Sequence, residues 1–114
     1  MEKHNKYTYL DEKSSSNCFI YITPDELNYS FRLSSNASSL LGLEVERCDI
    51  LFDKEKREIL ISPSLNGEFK VTKGRNRRRA ICAQGLFPIL KFKSGKRYDV
   101  HKVEKGILFE YESI

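Results

Sequence analysis

The strongest constraint on this chain is a recurrence. An order of strand, strand, short helix and hairpin runs through residues 18–63 and returns in residues 67–112. Sliding the sequence along itself by 48 positions lays Leu33 on Ile81, Leu41 on Ile89, Ile50 on Tyr98, Phe52 on Val100, Ile59 on Ile107 and Ile61 on Phe109, with no gap. A unit this short cannot bury one face of its own sheet, so two such units must pack on each other. The expected fold is mostly β (α+β): a small intertwined barrel of about eight strands, built from two pseudo-symmetric ββαββ units with one or two short helices. We read the recurrence as an internal duplication within one domain, residues 18–114, preceded by a polar tail over residues 1–17.

Local signals support each element. The run CFIYIT has β character, Pro24-Asp25-Glu26 is a turn signal, and in YSFRLS the residues Tyr29, Phe31 and Leu33 alternate with polar ones. Ser34 or Ser35 is placed to cap a helix whose Ala37, Leu40 and Leu41 share a face, and Gly42 suits its exit. CDILF, DKEKR and EILIS then read as a hairpin with Ile50 and Phe52 facing Ile59 and Ile61, closed by Pro63. The second unit runs GEFKVTK, GRNRRR, RAICA, AQGLFPIL and the hairpin KRYDVHK, VEKG, ILFEYE. Gly85 and Pro88 hold its helix to a turn or two. In the tail, Ser14–Ser16 reads as irregular, and Tyr7, Tyr9 and Leu10 are the only hint of a docking strand.

Several function classes find no support. No run approaches the roughly 20 apolar residues of a membrane-spanning helix, and the polar start lacks a signal peptide's apolar stretch, so a cytoplasmic protein with no membrane partner is expected. Cys18, Cys48 and Cys82 are odd in number without CxxC spacing and read as buried free thiols, not as a disulfide or zinc framework. His4 lies in the tail, which leaves His101 without a second histidine for a metal site. The serines lack nucleophile-elbow glycines, no phosphate-cradling loop occurs, and of the lone carboxylates Asp49, Asp53 and Asp99 two lie in or beside hairpin turns, where Asp is expected structurally. No catalytic residue, cofactor or enzyme activity is expected.

Charge is more telling. Residues 1–62 carry 8 basic and 11 acidic side chains, and residues 63–114 carry 12 and 5. Lys70, Lys73, Arg75, Arg77, Arg78 and Arg79 fall within ten residues that hold no acid. Guanidinium groups bind phosphate and guanine edges bidentately, and clustered cations gain affinity by releasing counterions from nucleic acid. Gly74 and Asn76 favour a loop presenting these arginines. A second cluster, Lys91, Lys93, Lys96 and Arg97, extends the patch if the fold brings it close; otherwise it is a solvated turn built on Ser94-Gly95. Phe92 and Tyr98 are interleaved with it as candidates for base stacking, although period-two placement favours Tyr98 in the core.

The stretch FRLSSNASSLLGLEVERCDILFDKEKREILISP resembles the AbrB/SpoVT swapped-hairpin module, a type of cradle-loop barrel. Leu41-Gly42-Leu43 and the DKEKREIL hairpin carry the likeness, while that family's Gly-Arg and Ile-Pro dipeptides are absent from the first unit and Arg47 stands where an acid is usual. The resemblance implies two interlocked units, usually from two chains, that bind DNA through basic residues on one face. Residues 67–112 would stand in for the second chain, giving a monomeric pseudo-dimer, with a homodimer as the alternative. The expected function is that of a DNA-binding transcriptional regulator whose contacts are Arg32, Lys73, Arg75, Arg77, Arg78 and Arg79. The alternative is a small non-enzymatic interaction module, such as a phage or mobile-element accessory or inhibitor protein, that uses the same loop against an acidic protein partner.

Overall fold

Alternation sorts the first apolar run onto two faces: Ile20 and Ile22 are fully buried, and the alternating Phe19 and Tyr21 are partly exposed. The computed structural model describes residues 18–24 and 29–114; the expectations for the tail, Asp25 and Glu26 lie outside these residues. The elements are β1 (Phe19–Ile22), β2 (Ser30–Leu33), α1 (Ser35–Leu41), β3 (Arg47–Asp53), β4 (Glu58–Pro63), β5 (Phe69–Lys73), β6 (Arg79–Cys82), α2 (Phe87–Leu90), β7 (Lys96–Asp99), β8 (His101–Val103) and β9 (Gly106–Glu110). Together they form a mostly β fold, a nearly closed antiparallel barrel of nine strands with two short helices. The strand order is β7-β1-β2-β6-β5-β3-β4-β9-β8.

Nine strands arise where eight were expected because KRYDVHK is broken at Val100. Residues 96–99 pair with β1 at one edge of the sheet, and residues 101–103 pair with β9 at the other. A single buried residue, Val100, whose amide donates to the Cys18 carbonyl at 3.2 Å, carries the chain between those edges and so brings the barrel to near closure. Its counterpart in the first unit, β3, stays whole and pairs with β4 from Cys48–Pro63 to Asp53–Glu58. There the Asp53 carboxylate accepts the amides of Glu55 and Lys56 at 3.0 and 3.1 Å, which sets the expected hairpin turn.

Four pairings join the two halves of the barrel, β1–β7, β2–β6, β3–β5 and β4–β9, and two of these seams pair strands at a common offset. At β2–β6, Arg32 pairs with Ala80; at β4–β9, Leu60 pairs with Leu108. In both pairs the residue numbers differ by 48, the offset of the sequence recurrence. Inward neighbours at both seams enter the core: Phe31 and Ile81 at the first, Ile59, Ile61, Ile107 and Phe109 at the second, none more than 1% exposed. Phe31 links the seams, with its ring 5.6 Å from both Phe92 and Phe109 in edge-on contacts.

Ser34 is the helix cap. Its Oγ accepts the Ala37 amide at 3.2 Å and the Phe19 amide at 3.1 Å, tying α1 to β1. Gly42 leaves the helix at φ +120°, a conformation costly for residues with a Cβ. The second helix is as short as expected: a 3-10 turn at Gln84–Leu86 followed by four residues with Pro88 in the first turn, where proline is tolerated. Among the described residues no helix is long and apolar enough to cross a membrane.

Candidate nucleic-acid interface

Directly opposed residues on neighbouring strands lie on one face of a sheet. Following the pairings outward from the first seam gives the row Arg97, Tyr21, Arg32, Ala80, Thr72 across β7, β1, β2, β6 and β5. With strands about 4.8 Å apart, the row is roughly 19 Å wide. Ala80 and Thr72 are small and leave a low floor, whereas the long side chains at the margins rise above it. The outcome is a recess of about 660 Å³ whose lining, among the described residues, holds six cations, Arg32, Lys73, Arg75, Arg78, Arg79 and Arg97, and no acid.

Arg97, Arg75 and Arg78 are positioned by contacts around the recess. Arg97 lies over the Phe19 ring at 4.2 Å, a cation–π contact that fixes one wall. The opposite wall is the turn between β5 and β6. The Gly74 amide donates to the Arg78 carbonyl at 2.8 Å, and the Arg78 amide donates to the Arg75 carbonyl at 2.9 Å. Asn76 and Arg77 take positive φ of 54° and 65°, and Ser35 Oγ donates to the Asn76 carbonyl, anchoring the turn to the start of α1. Arg75 and Arg78 are thereby held on a shaped turn. Among the described residues no acidic side chain pairs with Arg32, Lys73, Arg75 or Arg78.

The structure divides the six residues named from the sequence. Arg32, Lys73, Arg75, Arg78 and Arg79 converge on the recess; Arg77 is exposed and stands outside its lining. Arg79 differs from the others. It sits opposite Leu33, on the inward parity of β6, and its Nη2 and Nη1 donate to the carbonyls of Leu43 and Arg78, each at 3.0 Å. Its Nε is buried without a partner among the described residues. Arg79 braces the end of the barrel beneath the recess.

The second basic cluster splits in the same way. Arg97 joins the recess, while Lys96 and Lys93 reach Glu112 at 3.0 and 3.8 Å. The hydrogen bond from Lys96 holds the Glu112 carboxyl below its ordinary range. Phe92 and Tyr98 are unavailable for stacking: Phe92 is fully buried, and Tyr98 is a core ring whose hydroxyl donates to the Lys93 carbonyl at 2.6 Å. The aromatic side chains that do border the recess are Phe19 and Tyr21, hidden in the sequence inside a run that reads as uniformly apolar.

The cysteines need one correction. Cys18 and Cys48 are buried as expected, but Cys82 is exposed, because it follows the inward Ile81 on β6 and alternation turns it outward. Burial pushes the Cys48 thiol up to about 12. Among the described residues no three His, Cys, Asp or Glu side chains gather as a metal site would need. No protein-family model, curated protein or solved structure matches the chain, and the recess is what its functional reading rests on.

Proposed function

We propose that this chain is a DNA-binding protein of the regulatory kind, which uses the recessed basic face around Arg32 as its contact surface. The observation that carries the reading is the convergence of cations from β2, the β5–β6 turn and β7 on one concave face, lined by no acid among the described residues. Like charges held this close repel one another, and a polyanion relieves the repulsion while its counterions are released. The turn carrying Arg75 and Arg78 is already shaped by its own hydrogen bonds, so less ordering is lost when a phosphate binds. The likeness to AbrB-type modules belongs to the same proposal, with one chain doing the work of two. It is supported by the 48-residue offset shared by the sequence recurrence and both seam pairs.

Fluorescence anisotropy of labelled single-stranded and duplex DNA across a salt series tests the reading, comparing the native chain with Arg32→Ala/Arg75→Ala/Arg78→Ala. Binding should fall steeply with salt, and the triple variant should flatten the log–log slope by roughly 2–3, about 0.9 per lost phosphate contact. A native chain that ignores nucleic acid at physiological salt would retire the reading and turn the search to an acidic protein partner.

A further inference from the structure

We infer that the recess is built for a single nucleic-acid strand, with a base stacked on Tyr21 and phosphates on the arginines to either side. The inference rests on the nucleic-acid reading above and names its substrate class.

Three observations carry it. First, the shape is wrong for reading a duplex. Sequence readers of double-stranded DNA insert a helix or a two-stranded ribbon into the major groove. Here the cations line a hollow, and the neighbouring helix α1 is only seven residues long, with Ala37 and Leu41 packed into the barrel. A recess of about 660 Å³ lies in the range of small-ligand sites, enough for a nucleotide or two and far too small for a duplex.

Second, the central row runs Arg97, Tyr21, Arg32 on adjacent strands, so a partly exposed aromatic residue stands between two arginines of the same face. That alternation matches a single strand, whose base faces are free to stack while its phosphates lie alongside. Inside a duplex those faces are already stacked on their neighbours, and Tyr21 would have nothing to receive. Third, Ala80 and Thr72 continue the row beyond Arg32 with small side chains. They leave room for a sugar or base edge to descend between Arg32 and the turn that carries Arg75 and Arg78.

The test measures anisotropy of labelled 12-nucleotide oligo-dT and oligo-U, and of a mixed-sequence 12-mer both single-stranded and as its duplex, at matched salt. Native chain, Tyr21→Ala, Tyr21→Phe and Arg32→Ala/Arg75→Ala/Arg78→Ala are compared, with thermal unfolding checking that each variant folds. We expect the single strands to bind about tenfold or more tighter than the duplex. Tyr21→Ala should weaken single-strand binding roughly 5- to 100-fold with an unchanged salt slope, as expected for the loss of one stacked base, and Tyr21→Phe should restore it. The triple variant should weaken every nucleic acid and flatten the slope. Duplex binding equal to or tighter than single-strand binding, or indifference to Tyr21→Ala, overturns the single-strand inference, while the triple variant's losses would leave the nucleic-acid reading standing. No binding to any oligonucleotide overturns both.

Discussion

The β2–β6 and β4–β9 seams of the barrel share an antiparallel register at a 48-residue offset and differ in chemistry. At β4–β9 the pair is Leu60 and Leu108, outward residues that are nonetheless 3% and 1% exposed because Val103 completes a small apolar cluster over them. At β2–β6 the pair is Arg32 and Ala80, and the surface above it is open and basic. Inward, both seams hold large apolar side chains in the same core. The strand pairing that makes a seam therefore says nothing about what its outer face does. Paired leucines yield a closed satellite of the core, whereas a long cation beside an alanine yields a hollow with charged walls.

Mutations at matched positions probe that contrast. The largest effects belong to the shared inward side: Phe31→Ala and Phe109→Ala should each cost about 3–5 kcal/mol in urea unfolding. A large inequality between them would break the picture of two seams closing one core. Next come the paired outward residues. Leu108→Ala should cost about 2–5 kcal/mol, whereas Arg32→Ala should stay within about 0.5 kcal/mol and weaken nucleic-acid binding instead. Comparable stability losses at the two positions would erase the distinction between a satellite core and a ligand face.

Gly106 sharpens the closed seam further. It opens β9 at φ +153°, with its α-carbon against the Ile61 carbonyl, and a Cβ there would overlap that backbone. Gly106→Ala should cost more than about 1 kcal/mol, whereas Gly85→Ala, where a Cβ meets open space, should be close to neutral. The last contrast is a pH dependence. The folded chain keeps the Cys48 proton up to about pH 12 against 9.0 for the ordinary thiol. Its contribution to stability is thus complete below pH 9.0 and disappears as the pH rises toward about 12. Tyr98 and Tyr111, also raised by burial, act in the same direction. Urea midpoints across that window should fall, and less steeply in Cys48→Ala; parallel curves for the two proteins would show that Cys48 is not the titrating group.

Much of the local structure is legible from residue order. Ser34 caps α1, Gly42 ends it, and Ile50 and Phe52 oppose Ile61 and Ile59 as alternation implied. Harder to read was the second hairpin, because nothing in KRYDVHK marks Val100 as the residue at which the chain changes partners. Tyr21 and Phe19 were hidden for a related reason. A run of aromatic and aliphatic residues looks uniformly buried until the sheet assigns one parity to the core and the other to a face. Arg79 shows the opposite effect: its charge marked it with its neighbours, yet its inward parity made it a brace for the Leu43 carbonyl.

Alternation, capping and the clustering of cations within ten residues are properties of neighbours along the chain, and the sequence by itself determined them. Strand order is a property of pairings between residues far apart. Only the tertiary structure decided that Arg97 and Arg32 flank Tyr21, and that the turn with Arg75 and Arg78 closes the far side of the same hollow. The physical reason is that each strand carries two candidate faces of equal standing, and only its partners determine which one is filled and which is left open to a ligand.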